Sequence, residues 1–147
     1  MILPIVAYGD PVLKREADEI EKDYPFLEEL IDNMFETMYQ AEGVGLAAPQ
    51  IGKSIRLFIV DASPFEDEEP ELKDFKKVFI NPIIVEEEGE EWNFNEGCLS
   101  IPGIREDVKR QPKITIEYYD RDFNLLEETY EGVAARIIKH EYDIIKI

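Results

Sequence analysis

Residues able to do chemistry are concentrated in three short segments of this chain. One is HEYD, residues 140–143, which contains the only histidine, His140, followed by Glu141. A histidine that holds a metal ion beside a glutamate that handles protons is the working pair of many metallohydrolases. The zincin pattern adds a second histidine four residues on, one helical turn away and on the same face. Here that position is Ile144. Taken alone, the pair is a weak signal, and His140 reads more readily as a structural histidine. A second segment, NEGCLSIPG at residues 95–103, contains the only cysteine, Cys98. A single cysteine can be a small buried hydrophobe, a nucleophile or a thiolate ligand. The third segment is GVGLAAPQIG, residues 43–52. Its glycines and paired alanines leave little side-chain bulk, so an extended substrate could lie against this backbone, with Gln50 as a neutral amide donor. The same composition suits a tight packed turn between a helix and a strand.

The elements that must position these segments follow from hydrophobic periodicity. Leu27, Leu30, Ile31, Met34, Phe35 and Met38 recur at helical spacing, which predicts an amphipathic helix over residues 24–41, ended by Gly43. Residues 55–62 and 77–88 are rich in β-branched and aromatic side chains and read as strands, the second with a break near Asn81-Pro82. KITIEYYD (113–120) alternates, and LLEETYEG (125–132) follows after a short turn through Asp122 and Asn124, which predicts a hairpin. Residues 132–145 lack proline and glycine after their start and read as a second long helix, which carries HEYD. The segment PFEDEEPELKDFKK, residues 64–77, is dense in charge, has two prolines and reads as an exposed loop or insertion. Strands in the middle flanked by helices suggest an α+β domain.

With 147 residues, 44% of them hydrophobic, the chain suits one domain with a real core. No apolar run approaches the roughly 18 residues of a membrane span, and the start MILPIVAYGDPVL has no signal-peptide pattern. A single cysteine cannot form an internal disulfide, so a cytoplasmic setting is the simplest reading. The formal net charge of -18 repels phosphate and argues against sequence-independent nucleic-acid binding and against anionic membranes.

Together, GVGLAAPQ, EGCLS and HEYD, in this order and spacing, resemble the three signature motifs of the peptide deformylases. The resemblance extends to YGDPVL at residues 8–13 and to the helix before the first motif, so that residues 1–147 form a single deformylase-like domain. The acidic insertion and the phrase FNEGCLSIPGIREDVKR look most like deformylases of the Bacteroidetes group. What the resemblance implies is an α+β fold with antiparallel or mixed β-sheets packed around a C-terminal metal-binding helix. The implied activity is metal-dependent removal of the N-formyl group from the formyl-methionine of nascent polypeptides. The implied metal is Fe(II), with Zn(II) or another divalent ion possible in a purified sample. Cys98 and His140 match metal ligands and Glu141 the general acid/base. Gln50 and the backbone N–H of Leu99 match the donors that stabilise the oxyanion. Gly45 matches a glycine whose backbone faces the substrate, and Val44, Val133 and Ile137 match the lining of the methionine pocket. Arg105 matches an arginine near the site. The implied partners are N-formylmethionyl peptides, with the ribosome as an optional further one.

The family motif continues HExDH, whereas this sequence reads HEYDI and stops at Ile147. The expectation is therefore a deformylase shortened within its third motif and lacking its C-terminal end, with one metal ligand missing. The second functional reading is a catalytically inactive deformylase-like fold that at most binds formyl-Met peptides or a partner.

Overall fold

The structure, a computed structural model, describes residues 2–6, 11–14, 16–88 and 113–146. Five strands form one sheet in the order β1-β2-β3-β4-β5: β1 (Gly45–Ala47), β2 (Leu57–Asp61), β3 (Lys76–Glu88), β4 (Lys113–Tyr119) and β5 (Leu125–Glu131). All four pairings are antiparallel. One helix lies on each face, α1 (Leu27–Gln40) on one and α2 (Gly132–Lys146) on the other. The expected α+β class is thus realised as a single antiparallel sheet among the described residues, with an isolated parallel bridge between Asp18 and Ile55.

β2 is apolar on both faces because both are covered. Leu57 and Ile59 join Ile31, Met34, Phe35 and Met38 of α1, while Phe58 and Val60 join Ala134, Ala135, Ile138 and Tyr142 of α2. In β4 the alternation expected of KITIEYYD sends Ile114, Ile116 and Tyr118 to the α2 side. The β4–β5 hairpin closes through residues 120–124, where Asp120 accepts the backbone N–H groups of Asp122 and Asn124 at 2.9 Å each.

Two sequence readings need refinement. The break expected at Asn81-Pro82 is a disturbance inside one continuous strand, with register shifts between Ile80 and Ile83 and between Ile84 and Glu86. Pro82 cannot donate to the ladder, and Asn81 sits at φ 49°, with its amide bracketing the Ile20 backbone at 2.9 and 2.7 Å. The charged segment 64–77 is exposed at Glu66, Asp67 and Glu68 but is no free loop. It folds into two 3-10 turns and buries Leu72, 2% exposed, in the α2-side core, with Phe65 and Phe75 packed against the same cluster. Three apolar side chains in a charged background are too few to announce this burial in the sequence.

Candidate active site

Glycine 45 opens β1 at the edge of the sheet, and its missing side chain makes room for α2. A Cβ at Gly45 would lie 2.8 Å from Glu141 Oε2 and 2.9 Å from Glu141 Cγ. Real Cβ contacts are essentially never that short, so the carboxyl of the HEYD segment rests directly on the backbone of the GVGLAAPQIG segment. The Ala47-Ala48 pair is fully buried, which keeps this part of the chain close to the helix.

Glu141 is 5% exposed, and its Oε1 has no hydrogen-bond partner among the described residues. Burial pushes its carboxyl up to about 8, because desolvation penalises the charged form. A carboxyl held this way is neutral at neutral pH when nothing cationic stands beside it, and it can carry a proton in either direction near that pH. His140, its neighbour, is exposed on the outer side of the same turn. Ile144, one turn on, is half-buried and packs against the α2-side core.

Gln50 lies in the 3-10 turn Ala48–Ile51 that follows β1. Its Oε1 accepts the Ala47 N–H at 2.9 Å. Only the oxygen end of the amide can meet an N–H donor, so this bond leaves the NH2 end as the one to donate elsewhere. The Gln50 carbonyl in turn accepts the Val6 N–H at 2.8 Å, which ties the turn to the N-terminal segment. Val44 and Val133 are half-buried against the α2-side core, and Ile137 is buried in it. The structure thus brings Gly45 and Glu141 into contact and sets Val44, Val133 and Ile137 in one cluster. Cys98, Leu99 and Arg105 lie outside the described residues, so of the two expected metal ligands only His140 is described.

The N-terminus of α2 is capped from outside its own sequence: Glu69 Oε2 accepts the Val133 N–H at 3.1 Å. A signal for it existed, since Glu131-Gly132 offers none of the usual Ser, Thr, Asp or Asn caps. The identity of the distant cap was not readable.

In chemical terms the described residues supply one imidazole, at His140, and no trio of His, Cys, Asp and Glu side chains that could hold a metal ion. Cys98 adds a thiol to the chain's donor set. Ile144, where a second imidazole would stand, adds hydrocarbon. Among the described residues, His140 is thus the one nitrogen donor of the kind a catalytic site uses, while the orphaned Glu141 oxygen beside it is what a site that handles protons next to a metal would contain.

Comparison with known proteins agrees with the fold. The family model described as polypeptide deformylase matches residues 2–146. A peptide deformylase from Christiangramia forsetii is 62% identical over 99% of this chain and 78% of its own length, in keeping with the resemblance to the Bacteroidetes group. A crystal structure of a peptide deformylase from Legionella pneumophila superposes with a TM-score of 0.77 at 38% identity, covering 99% of this chain and 81% of that one. A class I type b peptide deformylase from Acinetobacter baumannii, bound to Met-Ala-Ser, gives a TM-score of 0.77 at 30% identity, covering 99% and 93%. With the family model matched almost end to end and relatives at this identity and coverage, this chain belongs to the peptide deformylases, metal-dependent hydrolases that remove the formyl group from the N-termini of new polypeptides.

Proposed function

We propose that the Gly45–Glu141 contact is the centre of the deformylation site and that Glu141 is its proton carrier. The observation behind this is the buried carboxyl itself, whose Oε1 finds no partner among the described residues although burying an unsatisfied polar atom is costly. The substrate is an N-formylmethionyl peptide. It lies extended along the other side of β1, which among the described residues is an edge strand paired with β2, with its first side chain among Val44, Val133 and Ile137. The Met-Ala-Ser peptide held by the Acinetobacter relative has the chemistry of a product of this reaction.

In the reaction a water oxygen bonds to the formyl carbon and the C–N bond breaks, giving formate and a free amine. Glu141 takes a proton from the attacking water and delivers it to the departing nitrogen. Glu141 must start as the carboxylate to take the first proton, and burial, which penalises that charged form, strengthens its hold on the proton between the two transfers. The Gln50 NH2, oriented by the Ala47 N–H on its oxygen, and the Leu99 backbone N–H donate to the oxygen as it gains charge. One such donor is worth about 3–4 kcal/mol in the barrier. Arg105 assists in substrate binding. Cys98 and His140 would hold the ion, Fe(II) in the cytoplasm, and a bound ion of this kind makes water acidic enough to be a nucleophile near neutral pH. The ribosome is the source of the substrate and an optional docking partner.

Ile144 tempers this reading. With two protein ligands the chain holds its metal weakly and turns over slowly. Losing a side chain that merely supports a ligand commonly costs about 10- to 100-fold in metal affinity, and losing a ligand costs at least that. The test compares the chain with Ile144→His, measuring metal stoichiometry and hydrolysis of formyl-Met-Ala-Ser. Ile144→His is expected to raise metal uptake by about 10-fold or more. Adding Glu141→Gln to it should leave the metal in place and cut hydrolysis by about 10²- to 10⁴-fold. Metal and activity lost together would make Glu141 a structural support instead, and full activity in the unaltered chain would show that another group supplies the third ligand.

A further inference from the structure

The 64–77 segment does more than cover the surface. Leu72 anchors it in the α2-side core, and the backbone of Glu69 is held in its turn from both sides, by Glu69 N–H to Phe65 O at 3.0 Å and Leu72 N–H to Glu69 O at 2.9 Å. Glu69 is thereby presented to the first turn of α2 from 64 positions away in sequence, and Oε2 accepts the Val133 N–H. Its other oxygen, Oε1, would lie 2.6 Å from a Cβ at Gly132, and Gly132 has φ +64°. Two independent constraints, backbone conformation and space, thus require glycine where the carboxylate approaches. The first turn of a helix has unpaired N–H groups and a partial positive charge, both of which a carboxylate answers.

We propose that Glu69 is a positioning residue of the site: by gripping the Gly132-Val133 corner it fixes where α2 begins, and so sets Val133 and, one turn later, Ile137. On this view the acidic segment braces the helix that carries His140 and Glu141. The anchoring stands on the contacts alone; its consequence for the methionine pocket rests on the proposed function.

Amide hydrogen exchange and peptide binding test the two halves separately, both on the full chain. Glu69→Ala is expected to speed exchange at Val133 and Ala134 by about 2- to 30-fold, the span that follows from losing a helix N-cap, and to leave Ile116 in β4 unchanged. Glu69→Gln, whose amide oxygen accepts the same bond, is expected to retain much of the protection. Unchanged exchange in Glu69→Ala, or equal acceleration in Glu69→Gln, overturns the anchoring. Should Glu69→Ala not fold, the Val133 amide proton resonance in Glu69→Gln decides: an upfield move on loss of the charged acceptor supports it, and an unmoved resonance overturns it. For the pocket, Glu69→Ala is expected to weaken binding of Met-Ala-Ser severalfold. Unchanged affinity with accelerated exchange overturns the pocket half. No peptide binding by the parent chain would refute the proposed function and leave the anchoring to be judged by exchange.

Discussion

Helices α1 and α2 flank the same sheet and differ in what they bury. α1 turns Leu27, Ile31, Met34, Phe35 and Met38 inward, and its one buried polar side chain, Thr37, is bonded twice, accepting the Leu3 N–H at 2.7 Å and donating to the Asn33 carbonyl at 2.7 Å. α2 turns Ala134, Ala135, Ile138, Tyr142 and Ile145 inward and then buries a carboxyl, Glu141, whose Oε1 is left without a partner among the described residues. The first helix leaves no buried side-chain polar atom without a partner. The second carries a defect that packing alone would remove, and such defects collect where chemistry is done. Even the sheet edge facing α2 is adapted to it, because Gly45 leaves space that any other residue would fill.

The largest effects expected from breaking this contrast lie on α1. Met34→Ala or Ile31→Ala, each at a fully buried position, should destabilise the fold by about 2–5 kcal/mol in urea denaturation. A loss below about 1 kcal/mol would mean that the α1-side core is far looser than its burial indicates. Replacing Glu141 should act in the opposite direction. Glu141→Leu removes the orphaned Oε1 at similar volume and should stabilise the metal-free chain by about 1–3 kcal/mol near neutral pH. The effect must depend on pH. The folded carboxyl is raised to about 8 from an ordinary value of 4.5, so the native state keeps a proton that the unfolded chain has lost. Its contribution is fully present below about 4.5 and is lost as pH rises to about 8. The advantage of Glu141→Leu over the parent should therefore grow across that window and level off above it. Midpoints measured in chelator from pH 5 to 9 decide, and a constant difference would show that Glu141 does not titrate in the window.

The same contrast separates what could be read in the sequence from what could not. Both helices, the strands at 57–61 and 76–88 and the β4–β5 hairpin were legible, α1 and β4 from their apolar periods, β2 and β3 from β-branched and aromatic content, and α2 from a run free of proline and glycine after its start. The role of Gly45 was legible only in part: small side chains signalled a close approach, but the partner, Glu141, is 96 positions away, and nothing local encodes such a distance. Glu141 looks like any surface glutamate by type, and only its place beside His140 in a family motif marked it out. Glu69 was hidden for a related reason. It sits among Glu66, Asp67, Glu68 and Glu71, and composition cannot tell which acid of a charged run turns inward.

On their outer faces the two helices become alike, and there the smallest effect is expected. Arg121, in the β4–β5 turn, donates from Nε to Glu28 Oε2 at 3.1 Å and pairs with Asp32 of the same helix, pinning the hairpin to α1. On α2, Lys139 pairs with Glu87 at 3.4 Å and with Asp143 at 3.1 Å. The carboxylates in all these pairs are more than half exposed, so water and salt screen them and the gain in folding is small. Arg121→Ala and Lys139→Ala should each destabilise by less than about 1 kcal/mol, and the loss should shrink further as salt rises and the screening length falls below about 8 Å. A loss of about 2 kcal/mol or more for Arg121→Ala, insensitive to salt, would mean that the Glu28–Arg121–Asp32 cluster works as a desolvated unit. The helices would then differ in their surface anchoring as well, and the stability of the α1 side could no longer be assigned to its hydrocarbon core alone.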